Sequence, residues 1–111
     1  MTTMYGLAKI GRDAELRRTA GGEAVCNLSL AFSYGRNGED GKQPTQWVEG
    51  AMWGKRAESM AQYLVKGQGV MVTLQDVHIA TFTKADNTTG VKLAGRVADI
   101  AFAGPGALRQ E

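Results

Sequence analysis

The sequence predicts a mostly β domain in which five strands and one helix form a small barrel with Greek-key connections. Period-two alternation of apolar residues dominates the chain, one segment has helical periodicity, and one long strand changes the parity of its apolar positions. The 111 residues suit a single domain, predicted over residues 1–104, with a short C-terminal extension at 105–111. An α+β sandwich is the alternative architecture.

Three predicted strands precede the helix. The first is "MYGLAKIG" at 4–11, and a charged connection, "RDAELRRTAGGE", leads from it to a pair of glycines. The second, "AVCNLSLAFSY" at 24–34, alternates apolar and polar residues, so we expect it to be half-buried. Its apolar positions, expected in the core, are Cys26, Leu28, Leu30 and Phe32. The third, "TQWVEGAMW" at 45–53, follows a polar, glycine-rich loop.

The period changes after the third strand. In "KRAESMAQYLVKG" at 55–67, apolar residues recur at helical spacing, which predicts about three turns of helix ending at Lys66-Gly67. In the fourth strand, within 69–84, a switch of parity near Gln75-Asp76 predicts a bulge that bends the strand. The last strand is "VKLAGRVADIAFA" at 91–103. A β-β-β-α-β-β order with a bent fourth strand is typical of the OB-fold, a five-stranded barrel.

Composition excludes several functional classes. No apolar run is long enough to span a membrane, and the N-terminus has no signal-peptide pattern. The one cysteine, Cys26, suits a reducing cytosol, and the one histidine, His78, has no partner at metal-ligand spacing. No phosphate-binding loop, zinc-protease or nucleophile-elbow motif is present, and Asp13 and Glu15 fit solvated charge. We therefore expect a protein that is not an enzyme and has neither cofactor nor metal.

The aromatic residues are more informative. Trp47 and Trp53 lie six apart in the third strand, so they share one face about 20 Å apart. That face also carries Glu49, whereas the opposite face is the more continuously apolar, which favours tryptophans that point outward. Burial of both tryptophans in the core is the alternative. Tyr5 and Phe102 are expected in the core or in a subunit contact.

Exposed aromatic rings beside cations suit a single strand of nucleic acid. Unpaired bases stack on flat rings, each contributing about 1–3 kcal/mol largely independently of base identity. Phosphates require cations, which makes binding salt-dependent. The net charge is only +2, but basic residues cluster in the first connection, after Trp53 and around the last turn.

Four stretches resemble the bacterial single-stranded-DNA-binding protein family. "IGRDAELR" is similar to the family's Gly-x-Asp-Pro-Glu loop, with Ala14 in place of proline, and "GGEAVCNLSLAFS" to its second strand. "TQWVEGAMWGKRAESMAQYLVKGQGV" is similar to its Thr-x-Trp strand, Gly-Lys turn and helix, and a fourth strand carrying Phe82 follows at the expected distance. The resemblance spans residues 4 to about 103.

The resemblance implies an OB-fold, usually a homotetramer, that binds and protects single-stranded DNA in the bacterial cytosol or nucleoid during replication, recombination and repair. By position, Trp47, Trp53 and Phe82 match the family's stacking aromatics. Tyr34 substitutes for a tryptophan that many members carry at the position of Arg36. The expected phosphate contacts are Lys55, Lys66, Arg12, Arg17, Arg18, Arg56 and Lys84.

This chain also departs from the family's pattern. Val48-Glu49 stands where members often have His-Arg near the tetramer contact, and "HIAT" at 78–81 stands where a basic run is typical. Members usually continue into a disordered tail with an acidic tip that recruits partner enzymes, whereas this sequence stops at "GPGALRQE". We expect either a truncated version or a short form, such as a phage or mobile-element copy, that binds DNA and recruits tail-dependent partners poorly.

Two other functions compete with this prediction. The first is an interaction module of the replication-restart primosome, similar to the dimeric primosomal protein N. The second is an OB-fold that binds RNA or another ligand, on which the sequence is silent because it shows no group that recognises a 2′-hydroxyl.

Overall fold

The computed structural model describes residues 1–103, so the predicted extension at 105–111 lies outside the described residues. Alternating apolar positions form the strands, as predicted. They are β1 (Thr3–Ile10), β2 (Glu15–Arg18), β3 (Ala24–Ser33), β4 (Thr45–Trp53), β5 (Gly69–Thr83) and β6 (Thr89–Ala103). Helix α1 (Lys55–Met60) lies between β4 and β5 and continues as one turn of 3₁₀ helix, Ala61–Tyr63.

Five of these strands close into a ring of hydrogen-bonded pairs. The sheet runs β1-β5-β6-β4-β3, and β1 pairs again with β3 at Lys9 and Ile10 to complete the circuit. β4 and β6 pair in parallel, which requires the long crossover through α1 and β5, while the other pairs are antiparallel. This arrangement confirms the predicted five-stranded OB-fold barrel.

The sixth strand, β2, is a correction to the sequence analysis, which treated residues 12–23 as a connection. Glu15–Arg18 pairs with Ala24–Asn27 and extends the edge of β3. The four residues of β2 are all exposed, so no apolar face marks the strand in the sequence. As a result, Arg17 and Arg18 lie in a strand and point to opposite faces of it.

The core follows from the alternation in β3 and β4. Cys26, Leu28, Leu30 and Phe32 are all buried, as predicted, and Val48 and Met52 face them from β4. Between these two, Gly50 leaves room for three side chains. A Cβ on Gly50 would lie 3.1 Å from Val97 and 3.2 Å from both Leu30 and Leu74. The barrel interior is therefore packed to the limit at this position.

The predicted bulge in β5 is confirmed. The pairing of β5 with β6 shifts between Gln75 and His78, and Asp76 has a φ of 58°. Aspartate tolerates this left-handed conformation better than most residues. Before the bulge Val72 and Leu74 point into the core, and after it the hairpin formed by β5 and β6 extends beyond the barrel.

The helix is shorter than predicted. It ends at Tyr63 because Leu64 leaves helical geometry, with φ −93° and ψ 75°, and is fully buried in the core. Gly67 is not the helix cap: its N–H donates to the carbonyl of Ile10 at 2.8 Å, so it joins this loop to β1. Ala57 and Leu64 bury the apolar side of the segment against the barrel.

Tyr5 and Phe102, two aromatic residues of the first and last strands, differ in exposure. Tyr5 is 69 % exposed and so is not a core residue of this chain, while Phe102 is half-exposed and packs edge-on against Tyr63 with ring centroids 6.3 Å apart. Burial raises the pKa of the Cys26 thiol, which agrees with its expected role as a small buried apolar residue.

Candidate nucleic-acid interface

The outer face of β4 carries both tryptophans. Trp47 is 51 % exposed and Trp53 is 44 % exposed, whereas Val48 and Met52 between them are buried on the opposite face. The predicted outward orientation is therefore confirmed. The register of β4 determines this orientation, because a shift of the pairing by one residue would put Val48 in solvent and both indole rings in the core.

Trp47 packs on the loop that follows β1. A Cβ on Gly11 would lie 2.3 Å from Cζ3 and 2.8 Å from Cη2 of the indole, so the ring rests on glycine backbone. Gly11 is itself held by a hydrogen bond from its N–H to the carbonyl of Ser29, at 2.8 Å. One side of the indole is thus supported and about half of the side chain remains open to a ligand.

Phe82 occupies the same face, on the hairpin. It pairs with Gly90 across β5 and β6, and a Cβ on Gly90 would lie 2.5 Å from Cζ of Phe82 and 2.9 Å from Cε of Lys84. Phe82 and Lys84 therefore lie together over one glycine, as their common parity predicts. Phe82 is 41 % exposed, and the ammonium of Lys92 lies 5.6 Å from its ring centroid.

Charged pairs fill the floor between these aromatics. The Nζ of Lys92 donates to Oε1 of Glu49 at 3.0 Å. Arg96 donates to Oε1 of Gln75 at 2.8 Å and lies 3.6 Å from the carboxylate of Asp76. Two open depressions flank Glu49. The first, about 150 Å³, is lined by Arg12, Ser29, Trp47, Val48, Glu49 and Lys92. The second, about 300 Å³, is lined by Glu49, Ala51, Asp76, His78, Ala94, Gly95 and Arg96.

We call the outer face that carries Trp47, Trp53 and Phe82 the aromatic groove. Among the predicted cations, Arg12 lines the depression beside Trp47. Lys66 is tied to the same loop, because its backbone N–H donates to the carboxylate of Asp13 at 2.8 Å. Arg17 pairs with Val25, which pairs in turn with Trp53, so Arg17 and Trp53 belong to one cross-strand row. Exposed Lys55 follows Trp53 by two residues.

Three predicted site residues lie elsewhere or are engaged by other groups. Tyr34 follows the end of β3 with the parity of the core positions and lines a separate depression with Tyr5 and Leu7. Arg18 forms an ion pair with Glu58 of the helix at 3.4 Å. Arg56 donates to the carbonyl of Ala98 at 3.0 Å and lies 3.8 Å from Asp99. The structure does not bring these three side chains into the aromatic groove.

Sequence reasoning missed Lys92 and Arg96 as site residues. Both lie on the groove face because β4 pairs in parallel with β6, Glu49 opposite Ala94 and Ala51 opposite Arg96. Their alternation with apolar residues along β6 indicates that they share one exposed face. That this face lies beside the outer face of β4 depends on the barrel's topology. His78 likewise enters the groove opposite Ala94, with its Nδ1 2.6 Å from the carbonyl oxygen of Asp76.

The hairpin turn places a fixed carboxylate at its tip. The hydroxyl of Thr88 donates to Asp86 at 2.6 Å and the backbone N–H of Thr88 donates at 3.0 Å. These hydrogen bonds hold the pKa of Asp86 below its ordinary value, the hydroxyl having the larger effect.

Over residues 1–103, no helix is long and apolar enough to cross a membrane, and no three metal-ligating side chains gather at one point.

Comparison with known proteins places this geometry in a family. Residues 1–99 match the model of the single-strand binding protein family. The single-stranded DNA-binding protein 1 of Chlorobaculum tepidum is 36 % identical over 88 residues, which cover 78 % of this chain and 52 % of that protein. A single-stranded DNA-binding protein of Neisseria meningitidis is 43 % identical over 63 residues, covering 55 % of this chain and 36 % of the relative.

A third relative, the single-stranded DNA-binding protein 1 of Synechocystis, is 30 % identical over 80 residues, covering 70 % of this chain and 64 % of its own length. The matched part of the chain thus spans between about a third and two thirds of these curated relatives. The match to the family model covers most of this chain, including the aromatic groove and all of the barrel except the last four residues of β6. The chain therefore belongs to the single-strand binding protein family.

Proposed function

We propose that this chain binds single-stranded DNA with little dependence on sequence and protects it during replication, recombination and repair. The observation that carries the proposal is the pair of half-exposed tryptophans on one face of β4, because tryptophan side chains in folded proteins are usually mostly buried. Relatives named as single-stranded DNA-binding proteins support the same ligand. Family membership also favours a DNA-binding protein over an enzyme, and a site of action in the bacterial cytosol or nucleoid fits this role.

In the proposed complex, bases stack on Trp47, Trp53 and Phe82, and cations at the border of the groove contact phosphates. The cations proposed to contact phosphates are Arg12, Lys66, Arg17, Lys55 and Lys84. Arg18 and Arg56 contribute less, because each must first leave an acidic partner. Tyr34 contributes least among the predicted aromatics, since it lines a different depression.

The first test is a titration with a thymidine oligomer, followed by tryptophan fluorescence at low and high salt. We expect strong quenching that weakens with salt. Trp47→Ala and Trp53→Ala should each lose about 1–3 kcal/mol of binding, about 5- to 150-fold in affinity, without unfolding. Tyr63→Ala is the matched control, because Tyr63 is also exposed but packs on Phe102 at the end of the barrel. An unquenched, folded wild-type protein would contradict the proposal.

We further propose that the chain assembles into a homo-oligomer, with the tetramer preferred on the family resemblance. Tyr5 and Leu7 are 69 % and 58 % exposed on β1. The same strand pairs with β5 along Thr3–Lys9 but with β3 only at Lys9 and Ile10, so most of one edge is free within residues 1–103. A free edge with exposed apolar side chains favours pairing with a second copy.

Light scattering tests this assembly through the mass in solution. A tetramer supports the proposal, and Leu7→Glu should lower the mass because it puts a charge on the exposed face of β1. A dimer would favour the alternative of a primosomal interaction module. A monomer at micromolar concentration would refute the assembly.

A further inference from the structure

A carboxylate at the centre of the aromatic groove is unexpected for a surface that accepts a polyanion. Glu49 lies between the two tryptophans along β4 and lines both depressions. A phosphate placed against it would be repelled. A base edge would not, because a carboxylate accepts hydrogen bonds from the N–H groups of bases. Glu49 therefore favours a strand whose bases, not its phosphates, face the floor of the groove.

Lys92 gives this acceptor a neighbouring donor. Its ammonium lies 3.0 Å from Oε1 of Glu49, and the two side chains are 37 % and 35 % exposed, so both remain accessible to a ligand. The depression of about 150 Å³ beside them is bordered by the indole of Trp47. A base stacked against that ring can direct its polar edge toward the pair. The arrangement therefore combines a stacking surface, an acceptor and a donor.

The four bases differ in what they offer such a pair. The Watson–Crick edge of guanine has two adjacent donors, N1–H and N2–H, beside the acceptor O6. Both oxygens of a carboxylate can accept from it at once while an ammonium donates to O6. Thymine has one donor between two acceptors, and cytosine and adenine each have an amino donor beside an acceptor ring nitrogen. This edge is free for recognition only when the nucleic acid is single-stranded.

We propose that Glu49 and Lys92 recognise guanine in single-stranded DNA and give this chain a preference for guanine over thymine. The inference rests on the proposed function, since it requires the strand to lie in the aromatic groove. It adds a specificity-determining pair to a surface that otherwise binds by stacking. The preference is expected once per bound groove, on top of the sequence-tolerant contacts.

The test compares a thymidine 30-mer with oligomers in which every third base is guanine, cytosine or inosine, isolated so that no guanine runs form. We expect the wild-type protein to bind the guanine oligomer about fivefold or more tightly than the thymidine oligomer. Inosine lacks the N2 amino group and should recover only part of that gain. Glu49→Gln should remove the guanine preference, since an amide cannot accept both N–H groups.

Glu23→Gln is the matched control, because it removes the same charge from an exposed residue in the turn before β3. It should keep the guanine preference. If Glu49→Gln tightens binding to every oligomer equally and the wild type shows no preference, Glu49 only neutralises Lys92 and the inference is wrong. Failure to bind the thymidine oligomer at all would instead overturn the proposed function, so the two failures are distinguishable.

Discussion

The support of Trp47 by Gly11 can be tested with a single methyl group. In Gly11→Ala the new Cβ would lie 2.3 Å from Cζ3 of the indole, and ordinary contact requires at least 3.4 Å. The ring must therefore move by about 1.1 Å. The backbone of Gly11 lies outside the left-handed region, so alanine adds little strain of its own.

We expect Gly11→Ala to weaken DNA binding more than it lowers the free energy of unfolding. A gap of about 0.5–1 Å forfeits a quarter to a half of a van der Waals contact. A displacement of about 1.1 Å corresponds to the upper fraction, one half, so for one stacked base worth about 1–3 kcal/mol the predicted loss is about 0.5–1.5 kcal/mol, or about 2- to 13-fold in affinity. Because the ring is half-exposed and can shift toward solvent, the free energy of unfolding should fall by less than about 1 kcal/mol.

The assay is the thymidine titration by tryptophan fluorescence, together with urea unfolding. Gly21→Ala is the matched control, because its Cβ would meet only the Thr19 hydroxyl at 3.9 Å and its backbone also lies outside the left-handed region. Gly11→Ala should bind more weakly than Gly21→Ala and less weakly than Trp47→Ala. Unchanged affinity and emission in Gly11→Ala would refute the idea that Gly11 positions the ring.

Two further predictions concern charge and packing. Arg17→Gln should lower the affinity for DNA and reduce the slope of log K against log salt by about 0.7. Arg18→Gln should change both quantities less, because Arg18 is already paired with Glu58. Equal effects of the two substitutions would contradict the assignment of Arg17 to the groove. Gly50→Ala should destabilise the barrel by about 1–3 kcal/mol in urea unfolding, since its Cβ would crowd three core side chains, and a wild-type midpoint would show that the core relaxes freely.

The sequence by itself determined the strands whose faces differ in polarity. Alternation in β3 specified Leu28 and Phe32 as core residues, and the switch of parity in β5 located the bulge. The apolar run Val48, Gly50 and Met52 on one face of β4 favoured an outward orientation of the tryptophans, and their exposure in the structure decided between this orientation and burial in the core. The family motifs then predicted by position which aromatics stack on bases. The exposed and buried faces of a strand and the position of a bulge depend on local sequence, so the periodicity of apolar residues is enough to predict them.

Tertiary structure decided what depends on which strands become neighbours. β2 has no apolar face, and its strand conformation depends on pairing with β3. The helix ends early because Leu64 is drawn into the core, which overrides the local helical pattern. Lys92 meets Glu49 across 43 residues of chain because β4 and β6 lie parallel in the closed barrel. The period of apolar residues along a strand shows which face of the sheet a residue lies on. Closure of the barrel determines which residue of a neighbouring strand it contacts there.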